Sequence, residues 1–397
     1  MDVAQLVLLF FCAYLLSRLF VVSRLPERIV YLLVTRELKF ATLIFLLISL
    51  TAGLSVLIPN AITAITVLPI ITLLERQWAQ HGKDHRARVT TALALAVIYG
   101  ANIGGVGAIT ATPANGVLVA YTTLQQIDGG GLLRFDRWLR WGLPLAAVLV
   151  VIGWMVIMFT LAGKHSDEKV EPMDHWLAPK LRAQRYAMWL AAAFFISAFA
   201  LSSSMGYFPQ KQVLGVTVAL TLALIVVLFA LPVRQEAGTR PLLRPSEVAS
   251  NLPLRGLLFV AGFVVLATVL VTLGAVQAIA ALLSHALPAD LHSFSATALI
   301  ALITSFATEA LSNTVVQLGM FETIQAHGAG SEGMIYPLLA ATLSCTCAFM
   351  SPLATGVNGL VFGEMRGASL WRMLLAGVLM NLAAALTIAA WVHWIVN

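Results

Sequence analysis

The chain has 397 residues, of which 60% are hydrophobic and 11% are charged, and its formal net charge is +6. A soluble domain averages about 25% charged residues, so this composition excludes an ordinary soluble protein and indicates an all-α polytopic membrane protein. The positive charge does not indicate nucleic-acid binding, because basic residues that flank membrane spans set their orientation. Three cysteines, an odd number, provide no disulfide framework.

The first part of the chain, residues 1–162, opens with a predicted span at 5–24. A short, basic and amphipathic stretch follows at 24–38 and is predicted to lie in the membrane interface. The next apolar segment, 39–80, contains two arms on either side of the polar sequence "PNA" (59–61). Because each arm is too short to cross the bilayer comfortably, this segment predicts a re-entrant hairpin with a polar tip at membrane depth.

A broken helix is predicted at 88–124, where "NIGGVGAITATPANG" interrupts a long apolar run with Gly and Pro. An unbroken span is predicted to follow at 137–162. The middle of the chain, 163–252, then predicts a cytoplasmic loop and two linking spans, at 185–204 and 211–232.

The last part of the chain, 253–397, predicts a similar order of elements. They are a span (253–273), an interfacial arm (274–292), a re-entrant hairpin with the tip "SNT" (293–327), a broken helix (333–363) and a final span (369–396). The break in the helix is predicted at "SPLATGVNG", where Gly and Pro again interrupt an apolar run.

Short sequences match between the first and last parts. "ATPANGVL" (111–118) aligns with "ATGVNGLV" (354–361) at an offset of 243, and "SVLIPNA" (55–61) aligns with "TEALSNT" (308–314) at an offset of 253. An odd number of predicted crossings separates the two repeats, so the second starts from the opposite face. The sequence therefore predicts inverted repeats with eight crossings in all, a recurring plan of secondary transporters.

The basic residues orient this arrangement. Every lysine and arginine falls on one side except Arg18, which lies in the first span, and Arg134, Arg137, Arg140 and Lys211, which lie on the other side. The basic side is predicted to be cytoplasmic, with both termini outside, in a bacterial inner membrane.

The two polar tips have a chemistry of their own. At each tip one helix ends and exposes carbonyl groups, and the next begins and exposes N–H groups. Such a tip can hold a cation on one side and an anion on the other. Ser, Thr and Asn provide neutral oxygens for Na⁺ and donors for carboxylate or sulfate, so the pattern indicates ion-coupled transport of a small anion.

Three stretches, "TEALSNTVVQLG", "CAFMSPLATGVNGLVFG" and "NIGGVGAITATPANG", resemble signature motifs of the divalent anion:sodium symporter family, part of the wider ion transporter superfamily. The resemblance covers both repeats. It implies symport of a dicarboxylate, citrate or sulfate with Na⁺, and an elevator-type movement within a homodimer.

The resemblance also implies particular site residues. One Na⁺ site would contain Ser55, Asn60, Gly104 and Gly105. The other Na⁺ site would contain Thr308, Asn313 and Ala354. The anion would contact Asn60, Thr112, Pro113, Asn313, Thr314, Thr355 and Gly356.

The sequence departs from the family pattern at two places. The family has Ser-Asn-Thr at both tips, whereas the first tip here is Pro59-Asn60-Ala61 and lacks both hydroxyl groups. The second break has Gly356-Val357 where the family has Pro-Pro. These changes affect the first Na⁺ site and the choice of substrate, because a lost hydrogen-bond partner in a buried site changes selectivity.

Other polar residues lie close to the predicted sites. Glu309 is an acid inside an apolar segment, and the sequence leaves open whether it carries a coupling proton or stiffens the hairpin by pairing. Asn102, Asn115 and Asn358 are predicted to satisfy open backbone groups at the two breaks.

Two alternatives to the Na⁺ symporter remain. One is a proton-coupled anion or arsenite-type permease of the same superfamily, and the other is a transport-inactive, anion-sensing membrane protein. An intramembrane enzyme is not predicted, because the chain contains neither His-Glu-x-x-His nor Gly-x-Ser-x-Gly. The sequence predicts no cofactor beyond the coupling ion, Na⁺ or H⁺.

Overall fold

A computed structural model describes most of the chain as helices joined by short connections. The described residues are 3–34, 37–78, 82–127, 131–163, 166–170, 181–205, 207–235, 238–248, 272–274, 288, 290–291, 293–311, 313–328 and 333–396. The predicted span at 253–273 and the predicted interfacial arm at 274–292 lie almost entirely outside them. Ser312, at the second tip, also lies outside them.

Ten helices are described before residue 249. They are α1 (Val3–Ser23), α2 (Leu25–Val34), α3 (Phe40–Leu57), α4 (Asn60–Glu75), α5 (Lys83–Gly107), α6 (Pro113–Leu124), α7 (Phe135–Ile157), α8 (Arg182–Ser204), α9 (Gln210–Phe229) and α10 (Pro245–Val248). Five more are described after residue 292. They are α11 (Phe294–Ala307), α12 (Asn313–Gly328), α13 (Ile335–Thr346), α14 (Gly356–Glu364) and α15 (Leu370–Trp391).

The remaining regular elements are short. A 3₁₀ turn follows α4 at Arg76–Trp78, and π-helical turns extend α7 and α15 at Met158–Ala162 and Val392–Val396. Two small antiparallel ribbons are formed by β1 (Leu38–Lys39) with β2 (Lys169–Val170), and by β3 (Val233–Gln235) with β4 (Gly238–Arg240). The first ribbon connects the start of α3 to the segment that follows α7.

Six helices among the described residues are long and apolar enough to cross a membrane, which confirms an all-α polytopic protein. They are Phe40–Leu57, Lys83–Gly107, Phe135–Ala162, Arg182–Ser204, Gln210–Phe229 and Leu370–Trp394. The first of these is α3, which the sequence predicts to be a short arm of a hairpin. With 18 residues it reaches spanning length, whereas α4 has only 16. The re-entrant hairpins and the count of eight crossings stay predictions.

Both predicted helix breaks are present. The first break separates Gly107, the last residue of α5, from Pro113, the first residue of α6. The second separates Thr346, at the end of α13, from Gly356, at the start of α14. Proline explains the first boundary, because it disfavours the helical conformation in the residue before it, and Thr112 is extended there with φ −140° and ψ 146°.

The links at the two polar tips differ from the predicted ones: the first is shorter than "PNA", and the second begins earlier than "SNT", directly after Ala307 at the end of α11. At the first tip only Ile58 and Pro59 lie outside the helices, and α4 begins at Asn60. At the second tip α12 begins at Asn313, and Thr314 is its second residue. The Asn side chains of both tips therefore belong to the first turns of helices, where unpaired backbone N–H groups are concentrated.

Helix α3 lies very close to α5 because two glycines remove side chains from the contact. A Cβ atom built on Gly100 would lie 2.7 Å from Ile48 O, and one built on Gly104 would lie 2.5 Å from Ala52 O. Small residues four apart allow two helix backbones to approach in this way. The close contact brings the end of α3, which carries Ser55, against the end of α5.

The buried apolar residues form two main clusters. The larger cluster draws on α3 to α7 and α11 to α15, and includes Phe40, Tyr99 and Phe349. A second cluster joins α1, α8 and α9, and includes Leu19 and Leu228. Contacts also cross between the two parts of the chain: α4 packs on α14, and α6 packs on α12 and α13. Helices α3, α4, α11 and α12 therefore pack with the broken helices in one unit.

Candidate functional site

A cluster of three oxygen atoms lies at the first tip. The Ser55 hydroxyl lies 2.7 Å from Asn60 Oδ1 and 2.9 Å from Ala101 O. The hydroxyl has a single proton, so it donates to only one of these two acceptors at a time. The three oxygens therefore form a small electron-rich group at the contact between α3, α4 and α5.

The first break lies beside this oxygen cluster. A Cβ atom built on Gly104 would lie 2.5 Å from Ser55 Cβ. One built on Gly105 would lie 3.3 Å from Asn60 Nδ2 and 3.6 Å from Thr112 Cβ. The structure therefore brings Ser55, Asn60, Gly104, Gly105 and Thr112 together, and the two glycines leave room for the polar groups of the tip.

Asn115 holds the first break open. Its side-chain amide donates hydrogen bonds to Gly105 O and to Ala108 O, both at 3.0 Å. On the α5 side of the break, the Trp138 indole also donates to Val106 O at 2.9 Å. Backbone carbonyls that the interrupted helix leaves without partners are thus satisfied by side chains, as buried polar groups require.

Asn358 does the same at the second break. Its side-chain amide donates to Ala348 O at 3.1 Å and to Ser351 O at 2.9 Å. Asn115 and its two acceptors each lie 243 residues before Asn358 and its two acceptors, which is the offset between the matching sequences. The same pair of hydrogen bonds therefore recurs at matched positions of both breaks, and the predicted role of these asparagines is confirmed.

Asn102 connects the two breaks. This α5 residue donates to Ala348 O at 2.8 Å and to Asn358 Oδ1 at 3.0 Å, although Asn358 is 256 residues away in the sequence. Asn358 Oδ1 also accepts a hydrogen bond from the Thr355 hydroxyl at 2.8 Å. The two broken helices are therefore held side by side by a buried polar network.

Glu309 binds the backbone of the second break. Its carboxylate accepts hydrogen bonds from the N–H groups of Phe349, Met350 and Ser351, at 2.7, 2.9 and 2.6 Å. The Asn381 side-chain amide donates to the same carboxylate at 2.7 Å. Glu309 is only 4% exposed. The carboxylate is therefore paired with donors of the second break and of α15, as expected for the pairing role that the sequence left open.

The second tip is less closely connected. The Thr308 hydroxyl donates to Ser305 O at 2.9 Å, one turn back in its own helix, rather than to a residue of the break. Asn313 Oδ1 is buried and has no hydrogen-bond partner among the described residues. Among the described residues, no hydrogen bond joins Thr308 or Asn313 to Ala354. The structure thus does not assemble the second set of predicted Na⁺ ligands as it does the first.

The remaining predicted anion contacts lie at helix starts. Pro113 is the first residue of α6, and Gly356 is the first residue of α14. Thr355 caps α14, because its hydroxyl accepts a hydrogen bond from Asn358 N at 3.1 Å, whereas the Thr112 side chain makes no capping bond with α6. Pro113 and Thr314 are exposed to solvent.

The structure also shows polar residues that the sequence did not single out. Gln317, on α12, donates to Ala114 O at 2.9 Å and to the Thr342 hydroxyl at 3.1 Å, and so ties the start of α6 to α12 and α13. Trp138 and Asn381 support the first and second break. An intramembrane Gln or Asn within an apolar run was the available signal, since buried polar groups in a bilayer require partners.

Comparison with known proteins shows that the chain is similar to bacterial transporters. The pattern that describes the citrate transporter family (CitMHS) matches residues 3–346. A sodium-dependent dicarboxylate transporter, SdcS, of Staphylococcus saprophyticus is 25% identical over 363 residues, which are 87% of this chain and 67% of the relative. An uncharacterized transporter of Haemophilus influenzae is 26% identical over 397 residues, 96% of this chain and 79% of the relative. The SdcS protein of Staphylococcus aureus is 25% identical over 366 residues, with the same coverage as the first.

Proposed function

Because this chain belongs to the citrate transporter family, we propose that it is a secondary active transporter that couples movement of a dicarboxylate or citrate to Na⁺. The names of two relatives, both sodium-dependent dicarboxylate transporters, support the substrate class and the ion. The observation that carries the proposal is the three-oxygen cluster at the first tip.

The cluster has the composition of a Na⁺ site. Ser55, Asn60 and the Ala101 carbonyl provide three neutral oxygens beside the end of α5, and helix ends of this kind coordinate Na⁺ in transporters. The Ser55 hydroxyl proton can be shared with only one of the two neighbouring oxygens, so the other oxygen repels the hydroxyl oxygen. A cation bound among the three oxygens would remove this repulsion. For the second ion, the unpartnered Asn313 Oδ1 is the strongest available ligand, and Thr308 and Ala354 are proposed to complete that site.

The substrate is proposed to bind at helix N-termini. Neither α4 nor α6 has a side-chain cap, so N–H groups of their first turns can face an anion next to Asn60 and Pro113. Thr112 lies against this position, and Asn313 and Thr314 are proposed to contact the anion from the second tip. Thr355 and Gly356, at the start of α14, complete the proposed set.

Glu309 supports Na⁺ coupling over the proton-coupled alternative. All four of its hydrogen-bond partners are donors, namely three backbone N–H groups and the Asn381 amide. A protonated carboxyl would present its own O–H among these donors and would lose a hydrogen bond. The residue is therefore proposed to hold the second break by pairing and not to carry the coupling proton.

An elevator movement within a homodimer is part of the proposal. The smaller apolar cluster, mainly of α1, α8 and α9, provides a candidate scaffold, and the larger cluster, which also includes Leu9 and Ala198, provides a candidate transport unit. Packed bodies of this kind can slide or rotate as units. The basic loops are proposed to face the cytoplasm, and a protease-accessible tag on either terminus tests this orientation, because cleavage from the cytoplasmic side would contradict it.

Uptake in proteoliposomes tests the proposal directly. We expect labelled citrate or succinate to accumulate with an inward Na⁺ gradient, and accumulation to stop when choline replaces Na⁺. Uptake that ignores Na⁺ but disappears when a protonophore collapses the pH gradient would instead support the proton-coupled permease. Binding of the anion without any uptake would support the anion-sensing protein.

Variants of the tips test the sites themselves. Ser55→Ala is expected to raise the Na⁺ concentration for half-maximal uptake, while Ser49→Ala, on the same helix, leaves it unchanged. Asn313→Ala is expected to abolish substrate binding in a folded protein. Ala61→Thr restores a hydroxyl at the first tip and is expected to change substrate preference. Wild-type uptake by the Asn313 variant would remove the second tip from the site.

A further inference from the structure

A basic cavity lies between the start of α7 and the end of α8, away from both helix breaks. Its volume is about 530 Å³, and its lining residues are Arg134, Asp136, Arg137, Arg140, Ser203 and Tyr207. Three arginines and one aspartate give this lining an excess of positive charge. These same arginines belong to the side of the protein that the sequence predicts to carry few basic residues.

Part of this charge is already neutralised. Arg134 Nε donates to Asp136 Oδ1 at 3.1 Å, and its Nη2 donates to Ser202 O. The Ser202 hydroxyl donates to the same carboxylate oxygen at 2.7 Å. Asp136 is only 2% exposed. Arg134 and Asp136 therefore form a paired floor, and the unbalanced charge of the cavity comes from Arg137 and Arg140.

Arg137 and Arg140 are three residues apart on α7, so both lie on one face of the helix. The Arg140 guanidinium is held 6.0 Å from the centre of the Phe199 ring and 3.9 Å from Asp136 Oδ2. Arg137 has no ion pair among the described residues. Ser203 adds a buried hydroxyl that has no hydrogen-bond partner in that part of the chain. Two guanidinium groups and a hydroxyl form a donor set for an oxyanion.

The surroundings indicate where this oxyanion comes from. Both α7 and α8 are long and apolar enough to cross a membrane, and such a membrane would place the cavity at their ends level with the lipid headgroups. Tyr207 and Phe208 next to it are 87% and 56% exposed, and exposed aromatic side chains beside basic residues are typical of the membrane interface. We propose that this cavity binds the phosphate of an anionic phospholipid through Arg137, Arg140 and Ser203.

A lipid titration of the purified protein in detergent tests this site. Native mass spectrometry would follow binding of short-chain phosphatidylglycerol, with phosphatidylcholine of the same chain length, inorganic phosphate and succinate as separate arms. We expect phosphatidylglycerol to bind at least about tenfold more tightly than phosphatidylcholine, and Arg137→Gln/Arg140→Gln to remove that preference. Arg182→Gln/Arg185→Gln is the matched control, since these exposed arginines have the same spacing at the opposite end of α8.

The outcomes separate the possible ligands. Loss of the preference in the Arg137/Arg140 variant, with the control variant unchanged, would support the lipid site. Equal losses in both variants would mean general charge attraction and would overturn the proposal. Inorganic phosphate or succinate binding as tightly as the lipid would show a site for soluble anions and would also overturn it. Ser203→Ala retains both charges and is expected to weaken binding several-fold, which keeps the proposal testable if the double variant fails to fold.

Discussion

At the first helix break, Val56 packs against Ala108 and Ala111 in a small apolar cluster. At the second break the matching position is Glu309, whose carboxylate accepts three backbone N–H groups. The spans that follow differ in the same way, because Trp138 supports the first break and Asn381, 243 residues later, supports the second. In addition to the asparagine hydrogen bonds that both breaks share, the first break has apolar packing at this position and the second has a buried carboxylate.

This difference gives the two halves different electrostatics. A buried carboxylate lies beside the second break, whereas the neutral oxygens of Ser55, Asn60 and Ala101 lie beside the first. Asn115 and Asn358 make the same hydrogen bonds at both breaks, so the shared part is the geometry of the interruption. The halves thus retain a common backbone and differ in the charge placed next to it.

Removal of the Glu309 carboxylate should lower stability and transport more than the other changes considered. Glu309→Gln places an amide NH₂ among backbone donors and leaves buried N–H groups unsatisfied, which should cost roughly 3 kcal/mol of unfolding free energy. Transport should fall with it, and denaturant titration in detergent micelles together with uptake would measure both effects. Glu322→Gln, on an exposed part of α12, is the matched control and should change neither. Full Na⁺-driven uptake by Glu309→Gln would contradict the role of the carboxylate.

Asn115 and Asn358 should contribute unequally to the free energy of unfolding. Asn358→Ala loses bonds to two carbonyls and also its contacts with Asn102 and Thr355, whereas Asn115→Ala loses two carbonyl bonds only. We expect losses in unfolding free energy of about 3 and about 1.5 kcal/mol, by the same titration. Equal losses would mean that the network between the breaks adds nothing.

The helix starts after the two breaks differ by one cap. Thr355→Val removes the capping hydroxyl of α14 and should cost about 1 kcal/mol. Thr112→Val removes no cap from α6 and should leave stability within a few tenths of a kcal/mol while it raises KM for the anion. A large loss of stability in Thr112→Val, with KM unchanged, would argue against the proposed anion position.

Trp138 tests a single hydrogen bond at the first break. Trp138→Phe keeps an aromatic ring but removes the indole N–H that donates to Val106 O, so a loss of about 1 kcal/mol is expected. The Trp141 indole N–H is buried without a partner in the described part of the chain, which makes Trp141→Phe a close control. Similar losses in both variants would show that ring volume, and not the hydrogen bond, supports the first break.

Much of the architecture was predictable because its signals are local. Apolar runs of spanning length identified the membrane helices, and Gly and Pro identified both breaks. The matching motifs pointed to Asn115 and Asn358. The exact tips were not predictable, because Asn60 and Asn313 start helices here instead of lying in the links before them. Helix boundaries depend on the capping geometry of a few residues, which composition does not report.

By itself, the sequence determined that this is a polytopic helical membrane protein with two matched interruptions, since hydrophobic length and residue periodicity act within one segment. Only the tertiary structure decided which polar groups meet. Glu309 reaches Phe349, 40 residues away, and Asn102 reaches Asn358, 256 residues away. The rotation and depth of each helix against its neighbours set these pairs, and in this chain close contacts such as Gly104 against Ala52 fix that placement.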